Sequence, residues 1–557
     1  MNNIPMEERS YKNSDDLGTT HQEGSGREEI LLKTFNTSVI CNPKKHYMVD
    51  ISDRIDRIIK KYIEPGKYFS INRGRQYGKT TTLSALARKL SGKYYCISIS
   101  FAWADGMFET ESKLVSGFIG LVKKELKVKK MPEEMILHWS KEINESQPFV
   151  DLDERITGLC ADSDREIVLM IDEVDKASDN QLMIQLLSLL RDKYILREDE
   201  RDVTFKSVIL AGVYDVENLK QKIRPESEHK YNSPWNVAVK FEEDLAFSAE
   251  DISQMLAEYE QDYQTGMDIA AISGMIYDFT SGYPVLVSEI CKILDETIPG
   301  TSDFPERKDT WTPHGIMEAV KIIQHTRTPL FEDMIKQVED YPELKEMLKS
   351  ILFEGAVIAF NNYNYVLNLA KMFDYIKSTE DHVAVANRIF ELVLYDYFLS
   401  EEELDNATNK DAILNRSCFV LEGKLDMEAV LRKFADHYKD IYTDSDQKFV
   451  EKYGRKLFLM YLKPIINGTG NYYIEAETRD AKRTDIIVDY RGMQYVIETK
   501  LWYGPKYHAD GEKQLCGYLD KLHLDAGYML TFRFNKNKET GITEKIVAGK
   551  KLFEVTV

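Results

Sequence analysis

Arg73-Gly74-Arg75-Gln76-Tyr77-Gly78-Lys79-Thr80 follows the apolar run 68–71 and opens an amphipathic stretch over 81–90. A strand, a glycine-bearing loop and a helix in that order build a phosphate cradle. Successive backbone N–H groups and the helix N-terminus surround the anion, a lysine reaches the terminal phosphates, and the hydroxyl after it holds Mg²⁺. Lys79 and Thr80 fit the last two roles, while Gly74, Arg75, Gln76, Tyr77, Gly78 and Thr81 form the loop and the first helical turn. Against G-x-x-x-x-G-K-[ST], Arg73 stands at the first glycine position and the glycine is displaced by one place to Gly74. A glycine turn before an ordinary helix is the competing reading, and the strand–loop–helix context weighs against it.

A nucleotide site of this kind needs a carboxylate at the end of a second buried strand. Ile167-Val168-Leu169-Met170-Ile171 is continuously apolar, as a parallel strand covered on both faces is, and it runs into Asp172-Glu173-Val174-Asp175. Asp172 is placed to hold the Mg²⁺ shell, and Glu173 to orient and activate an attacking water as general base. Acidic residues after apolar runs are common loop openings. The phosphate loop upstream is what gives this cluster its meaning.

A chain of 557 residues is long enough for about three to four domains, and its 43% apolar content supplies a core for each. The formal charge of −20 excludes a protein coated for nonspecific nucleic-acid binding, so any DNA or RNA contact is local. The cysteines at 41, 96, 160, 291, 418 and 516 form no C-x-x-C pair and no metal-ligand spacing, which predicts reduced thiols, no disulfides and no zinc. The first 30 residues are polar and mixed in charge, and no run approaches the roughly eighteen apolar residues of a membrane span. The expectation is a cytoplasmic protein with no membrane segment.

The expected fold class is α/β, divided along the chain. Residues 1–34 are polar with little periodicity and read as a flexible tail. Over 35–245, strands at 68–72, 94–101, 167–172 and 207–213 alternate with helices at 81–90, 112–127 and 180–197, which predicts a parallel sheet covered by helices. Strand 207–213 is expected beside the phosphate-loop strand, without an Asn or Thr at its end to sense a γ-phosphate. Residues 246–300, with helices at 249–259 and 267–280 before Ser281-Gly282-Tyr283-Pro284, predict a helical lid on the nucleotide site. Region 301–400 combines helices with a hairpin pairing 372–377 and 382–386, the pattern of a winged helix. Such modules contact DNA in some proteins and act as rigid packing elements in others. Residues 401–435 read as a connector that includes a polar surface stretch, 401–410. A helical pattern at 427–441 leads into a final domain, 436–557.

That last domain holds a second constellation. A strand over 484–488 carries Asp485 near its start, a turn falls at Arg491-Gly492, and a strand over 494–501 carries Glu498-Thr499-Lys500. Side chains alternate along a strand, so Glu498 and Lys500 project to one face, and Asp485 approaches from the paired strand. Two carboxylates sharing Mg²⁺, or Mn²⁺, beside a lysine suit phosphodiester hydrolysis: the metal polarises a phosphoryl oxygen and acidifies a water that the lysine positions. A helix over 510–521 offers Gln514 and Tyr518 one turn apart. E-x-K alone occurs on many charged strands, whereas D-x₁₂-E-x-K on a hairpin followed by this helix is far more specific. Residues 471–521 carry eight Lys/Arg against nine Asp/Glu, so this region is less acidic than the whole chain. Arg479, Lys482, Arg483, Lys506, Lys513 and His508 are candidates to meet a phosphate backbone, against the default of a solvated mixed-charge surface.

Together with Phe35–Lys44, Ala211-Gly212-Val213-Tyr214-Asp215, Tyr231-Asn232-Ser233-Pro234-Trp235-Asn236 and Thr280-Ser281-Gly282-Tyr283-Pro284, these motifs resemble a bacterial AAA-type ATPase family with a C-terminal PD-(D/E)XK nuclease-like domain. The resemblance covers nearly all of the chain after residue 34. It implies a P-loop α/β domain, a helical and winged-helix region, and a restriction-endonuclease-like α/β end domain. It also implies Asp485, Glu498 and Lys500 at a metal and its water, Gln514 as the helix motif, and Glu451 as an acidic residue on the preceding helix. Thr484 replaces the motif's proline, and Arg73 departs at the loop. Two functions compete: an ATP-controlled nuclease, with defence against foreign DNA as an association of that architecture, and an ATP-dependent switch or scaffold whose end domain binds nucleic acid or a partner without cutting. A homo-oligomer would let a neighbouring subunit supply an arginine to the site, with Arg224 as the candidate.

Overall fold

Four strands, β1 (Phe69–Asn72), β2 (Tyr95–Ser100), β3 (Ile167–Asp172) and β4 (Ser207–Gly212), form an all-parallel sheet in the order β1-β4-β3-β2 in the computed structural model. The described residues are 33–557 except 39, 104, 178–180, 214–234, 355, 357, 379–381, 406–418, 422–423, 442–450, 467–469, 474–485 and 535–539. Helices α1 (Lys79–Leu90), α2 (Glu111–Val128), α3 (Pro148–Ala161) and α4 (Gln181–Glu198) cover the sheet. Alternation along β3 explains its unbroken apolar sequence. Val168 and Met170 pack on the face with Leu83, Leu86 and Leu90 of α1, whereas Ile167, Leu169 and Ile171 face Phe118, Leu152 and Leu187. Each such burial is worth about 1.5–3 kcal/mol, so a strand covered on both sides is held far more firmly than its length suggests. As expected, β4 lies beside β1, and it therefore separates the phosphate-loop strand from the carboxylate-bearing one. Helix α3 was not foreseen from the sequence.

The chain continues through α5 (Ala249–Tyr263), α6 (Ile269–Thr280), α7 (Pro284–Lys292), α8 (Pro313–His325), α9 (Pro329–Asp340), α10 (Pro342–Lys349) and α11 (Tyr365–Met372). A capping box starts α5: Ser248 Oγ accepts from the Asp251 N–H at 3.1 Å, and the Asp251 carboxylate accepts from the Ser248 N–H at 2.9 Å. Between α6 and α7 the backbone turns through Gly282, at φ 73°, and a Cβ there would lie 1.9 Å from the Phe247 carbonyl oxygen. Gly282→Ala is therefore expected to destabilise the protein by about 3 kcal/mol or more, a drop that thermal unfolding would show.

Two sequence expectations need correction here. The hairpin strands are β5 (Ile376–Ser378) and β6 (Val383–Val385), because Met372 ends α11 instead of starting a strand. Asn364 caps that helix by accepting the Leu367 N–H at 3.1 Å, and its end is turned by Asp374 at φ 56°. The first residues of 401–410 continue α12 (Arg388–Asp405), and Glu401 is pinned by Tyr397 Oη at 2.9 Å and by Lys345. Glutamates are good helix formers, so a polar sequence did not mean a loop.

After α13 (Met427–Ile441) and α14 (Glu451–Ile466), a six-stranded sheet closes the chain. It comprises β7 (Gly470–Tyr473), β8 (Ile486–Tyr490), β9 (Met493–Leu501), β10 (Ala526–Phe532), β11 (Gly541–Val547) and β12 (Lys550–Thr556), ordered β7-β8-β9-β10-β12-β11. Strands β7, β8 and β9 are antiparallel neighbours, and β9 and β10 are parallel. A parallel pair needs a long crossover. Here it is α15 (Pro505–Lys521), which begins five residues before the expected 510 because Pro505 is favourable at the first helical position. Among the described residues no helix is long and apolar enough to cross a membrane.

Candidate functional site

The loop between β1 and α1 turns at Gln76, φ 55°, and at Gly78, φ 82°, which delivers Lys79 to the helix N-terminus. Beside it lies a cavity of about 500 Å³. It is lined by Gln76, Tyr77, Gly78, Lys79, Thr80 and Thr81 of the loop and α1, by Asp172, Glu173 and Asp175 after β3, and by apolar residues that include Ile40, Val49, Ile51, Met255 and Val285. That size and mixed lining suit a small-molecule site such as one for a nucleotide.

The Thr80 hydroxyl donates to Asp172 Oδ2 at 2.6 Å, so the two residues assigned to Mg²⁺ from the sequence meet across β4. Both offer hard oxygen donors, which fit that ion. Lys79 Nζ donates to the carbonyls of Arg73 at 2.8 Å and Gly74 at 2.7 Å. Burial pulls the Lys79 ammonium below its usual pKa, and Asp175, Asp172 and Asp374 act in the opposite direction. Glu173 faces the cavity with a left-handed backbone, φ 54°, and its N–H donates to Asp172 Oδ1 at 2.9 Å. A non-glycine residue held in that region is strained, and such strain is found where a side chain must be aimed. If Glu173 activates water, Glu173→Gln is expected to keep nucleotide binding and to slow phosphate release by about 10²-fold or more. Full turnover in this variant would move the base elsewhere.

Gly212, which ends β4, is held close to the carboxylate loop: a Cβ there would lie 2.8 Å from Asp175 Oδ1. The next N–H, of Val213, donates to that same oxygen at 3.2 Å. Gly74 departs from its expected role. It does not line the cavity, and its N–H is taken by the Asp374 carboxylate of the turn before β5. Arg75 lines the cavity while its guanidinium pairs with Asp333 of α9 at 3.1 Å, and its carbonyl accepts from Tyr283 Oη at 2.5 Å. Tyr283, Asp333 and Asp374 do not line the cavity but hold the phosphate loop from behind, a role that motif reading gave to none of them. The only sequence signal near them was Ser281-Gly282-Tyr283-Pro284.

Burial pushes the Asp374 carboxyl up to about 6 from an ordinary 3.8, against the lowering effects of the Gly74 N–H, Arg73 and Lys79. A carboxyl whose folded pKa is raised contributes stability that is full below its unfolded pKa and is lost as pH rises through the folded one. Asp374→Asn removes that dependence. The variant's gain in melting temperature over the parent is therefore expected to be larger at pH 7.5 than at pH 4.

In the C-terminal sheet, Glu498 and Lys500 lie on one face of β9, and Lys500 Nζ pairs with Glu498 Oε1 at 2.9 Å with both side chains buried. Helix α15 covers them: a Cβ at Gly511 would sit 3.2 Å from Lys500 Cε, and Gln514 follows one turn later on that helix. Asp485, Arg479, Lys482 and Arg483 lie outside the described residues, as do Arg224 and the side chain of Glu451. His508 is not free to meet a phosphate backbone. Its Nε2 lies 3.0 Å from Glu554 Oε1 and 3.2 Å from Glu512 Oε1. Among the described residues, these three form a cluster with metal-ligand spacing. Lys545 Nζ already supplies the cation there, at 2.5 Å from Glu512 and 3.1 Å from Glu554.

No protein-family description matches the chain, and no curated protein does. Solved structures resemble part of it. A Walker-type ATPase of Pyrococcus abyssi is 13% identical with a TM-score of 0.41, over 62% of this chain and 96% of that one. The Aeropyrum pernix ORC2 protein, solved as ADPNP–ADP complexes, is 11% identical with a TM-score of 0.36, over 64% and 95%. The ORC1 protein of the same organism, solved in complex with DNA, is 12% identical with a TM-score of 0.28, over 63% and 93%. At such scores the likeness carries no argument about function. The parallel sheet, and the loop that leads from β1 into the N-terminus of α1, have the arrangement that the sequence predicts.

Proposed function

We propose that this chain binds and hydrolyses ATP with Mg²⁺, and that its nucleotide state governs a Mg²⁺-dependent nuclease at its C-terminal end. The observation that carries the first half is the Thr80–Asp172 contact at 2.6 Å, between two residues that line the cavity together with Lys79. Lys79 would hold the terminal phosphates, Thr80 and Asp172 the metal, and Glu173 the attacking water. A Mg²⁺ ion held by Thr80 and Asp172 would supply stabilisation of the charge that develops on the transferred phosphoryl group. Support for the second half is the buried Glu498–Lys500 pair on a strand beneath α15, within the order helix α14, strands β7, β8 and β9, helix α15, strand β10. Asp485 and Glu498 would hold the metal, with Lys500 and Gln514 around the reacting phosphodiester. On this reading the hairpin region 301–400 is a winged helix, and Arg224 of a neighbouring copy is the candidate to complete the ATP site.

A second reading has its own observation. Lys500 pairs with Glu498, and Lys545 is shared between Glu512 and Glu554, so lysines already occupy these carboxylates, which suits a domain that binds nucleic acid or a partner without cutting. One experiment separates the two. Purified protein with ATP and Mg²⁺ is expected to release phosphate, and release should stop in EDTA. Single- and double-stranded DNA and RNA, offered with Mg²⁺ or Mn²⁺ and with or without ATP, should be shortened if the nuclease reading holds. Retention on nucleic acid without shortening selects the second reading, and absence of nucleotide binding removes both.

A further inference from the structure

The region that follows the lid grips the phosphate loop. Asp374 accepts the Gly74 N–H, and the Phe373 carbonyl oxygen is so close that a Cβ on Gly74 would sit 2.8 Å from it. Asp374 itself is held at φ 56°, a left-handed turn conformation that aspartate adopts more readily than most residues. The carboxylate lies in the field of Arg73 and Lys79, with Asp244 as the opposing charge. Of these, Lys79 lines the cavity and is the positive group assigned above to the terminal phosphates. From Asp374 the chain passes through β5 and β6 into α12, where Asp396 accepts from Tyr472 Oη of β7 at 3.1 Å and pairs with Lys463 of α14 at 3.4 Å. A short covalent and packed path thus joins the phosphate loop to the C-terminal domain.

We infer that the Phe373–Asp374 turn reads the nucleotide state: its carboxylate competes with nucleotide phosphates for the positive field of the phosphate loop, so that binding of nucleotide loosens the hairpin β5–β6 from that loop. The inference rests on the nucleotide reading above and adds the element that responds. Two negative groups addressed to one lysine and one loop repel each other, and the cost is shared between ligand affinity and the hairpin's hold. Asp374→Asn keeps an oxygen for the Gly74 N–H and removes the charge.

The test measures affinity for the non-hydrolysable analogue ADPNP with Mg²⁺ by calorimetry, and amide hydrogen exchange of 376–385 with and without it. Asp374→Asn is expected to bind ADPNP about tenfold more tightly than the parent protein. In the parent protein the analogue should speed exchange in 376–385, and in Asp374→Asn that response should disappear. Equal or weaker affinity in the variant overturns the competition. Exchange in the parent protein that ignores ADPNP overturns the coupling, and needs no variant to show it. A parent protein that binds no ADPNP overturns the nucleotide reading and this inference together, which distinguishes that failure from the other two.

Discussion

Lys79→Ala is expected to abolish tight ATP binding, and with it phosphate release. Lys79 lines the cavity, and its ammonium bonds two loop carbonyls and stands in the field of Asp175 and Asp172. A charge-assisted contact of this kind contributes about 1.5–3 kcal/mol, so loss of contacts to two phosphates should weaken binding by about 10²–10⁴-fold. The fold should survive, since alanine suits the first turn of a helix and the core of α1 rests on Leu83, Leu86 and Leu90. Binding is read by titration with a fluorescent ATP analogue, and folding by circular dichroism. Unchanged affinity in a folded variant would remove Lys79 from the phosphate site.

If the nuclease reading holds, Glu498→Gln and Lys500→Met are expected to lower nucleic-acid cleavage by about 10³-fold or more, because metal and water would each lose the group proposed to place them. ATP hydrolysis should continue in both, since the phosphate loop lies in a separate sheet. Physical chemistry sets a condition on this test. Glu498 and Lys500 are a buried pair, and removal of one partner leaves the other uncompensated, a destabilisation of about 3–5 kcal/mol. Retained ATP turnover and an unaltered circular dichroism spectrum therefore serve as the folding control. Cleavage that persists in a folded Glu498→Gln protein would sink the nuclease assignment and leave a domain that binds without cutting.

Local spacing alone determined much of this protein. A strand, a loop and a helix in sequence are enough to bring Gly78, Lys79 and Thr80 together, because each sits within a few residues of the next. The unbroken apolar run of β3 announced a doubly covered strand and placed Asp172 at its end, and the period of two along β9 put Glu498 and Lys500 on one face. The hairpin's first strand was misplaced because a few apolar residues fit the end of a helix as well as a strand. Tertiary structure decided the rest. The pairing of β4 between β1 and β3 brings Thr80 to Asp172, and packing of the later helices sets Tyr283, Asp333 and Asp374 against the loop. Asp374 stands 300 residues from Gly74, and a contact over that distance leaves no periodic mark on either segment. In the C-terminal domain, His508, a candidate to meet a phosphate backbone against the default of a solvated surface, instead contacts Glu512 and Glu554 beside Lys545, because strand order carries residues 545 and 554 under the helix that bears it. Periodicity reports which face a side chain takes, while the partner on that face is chosen by how sheets and helices close over one another.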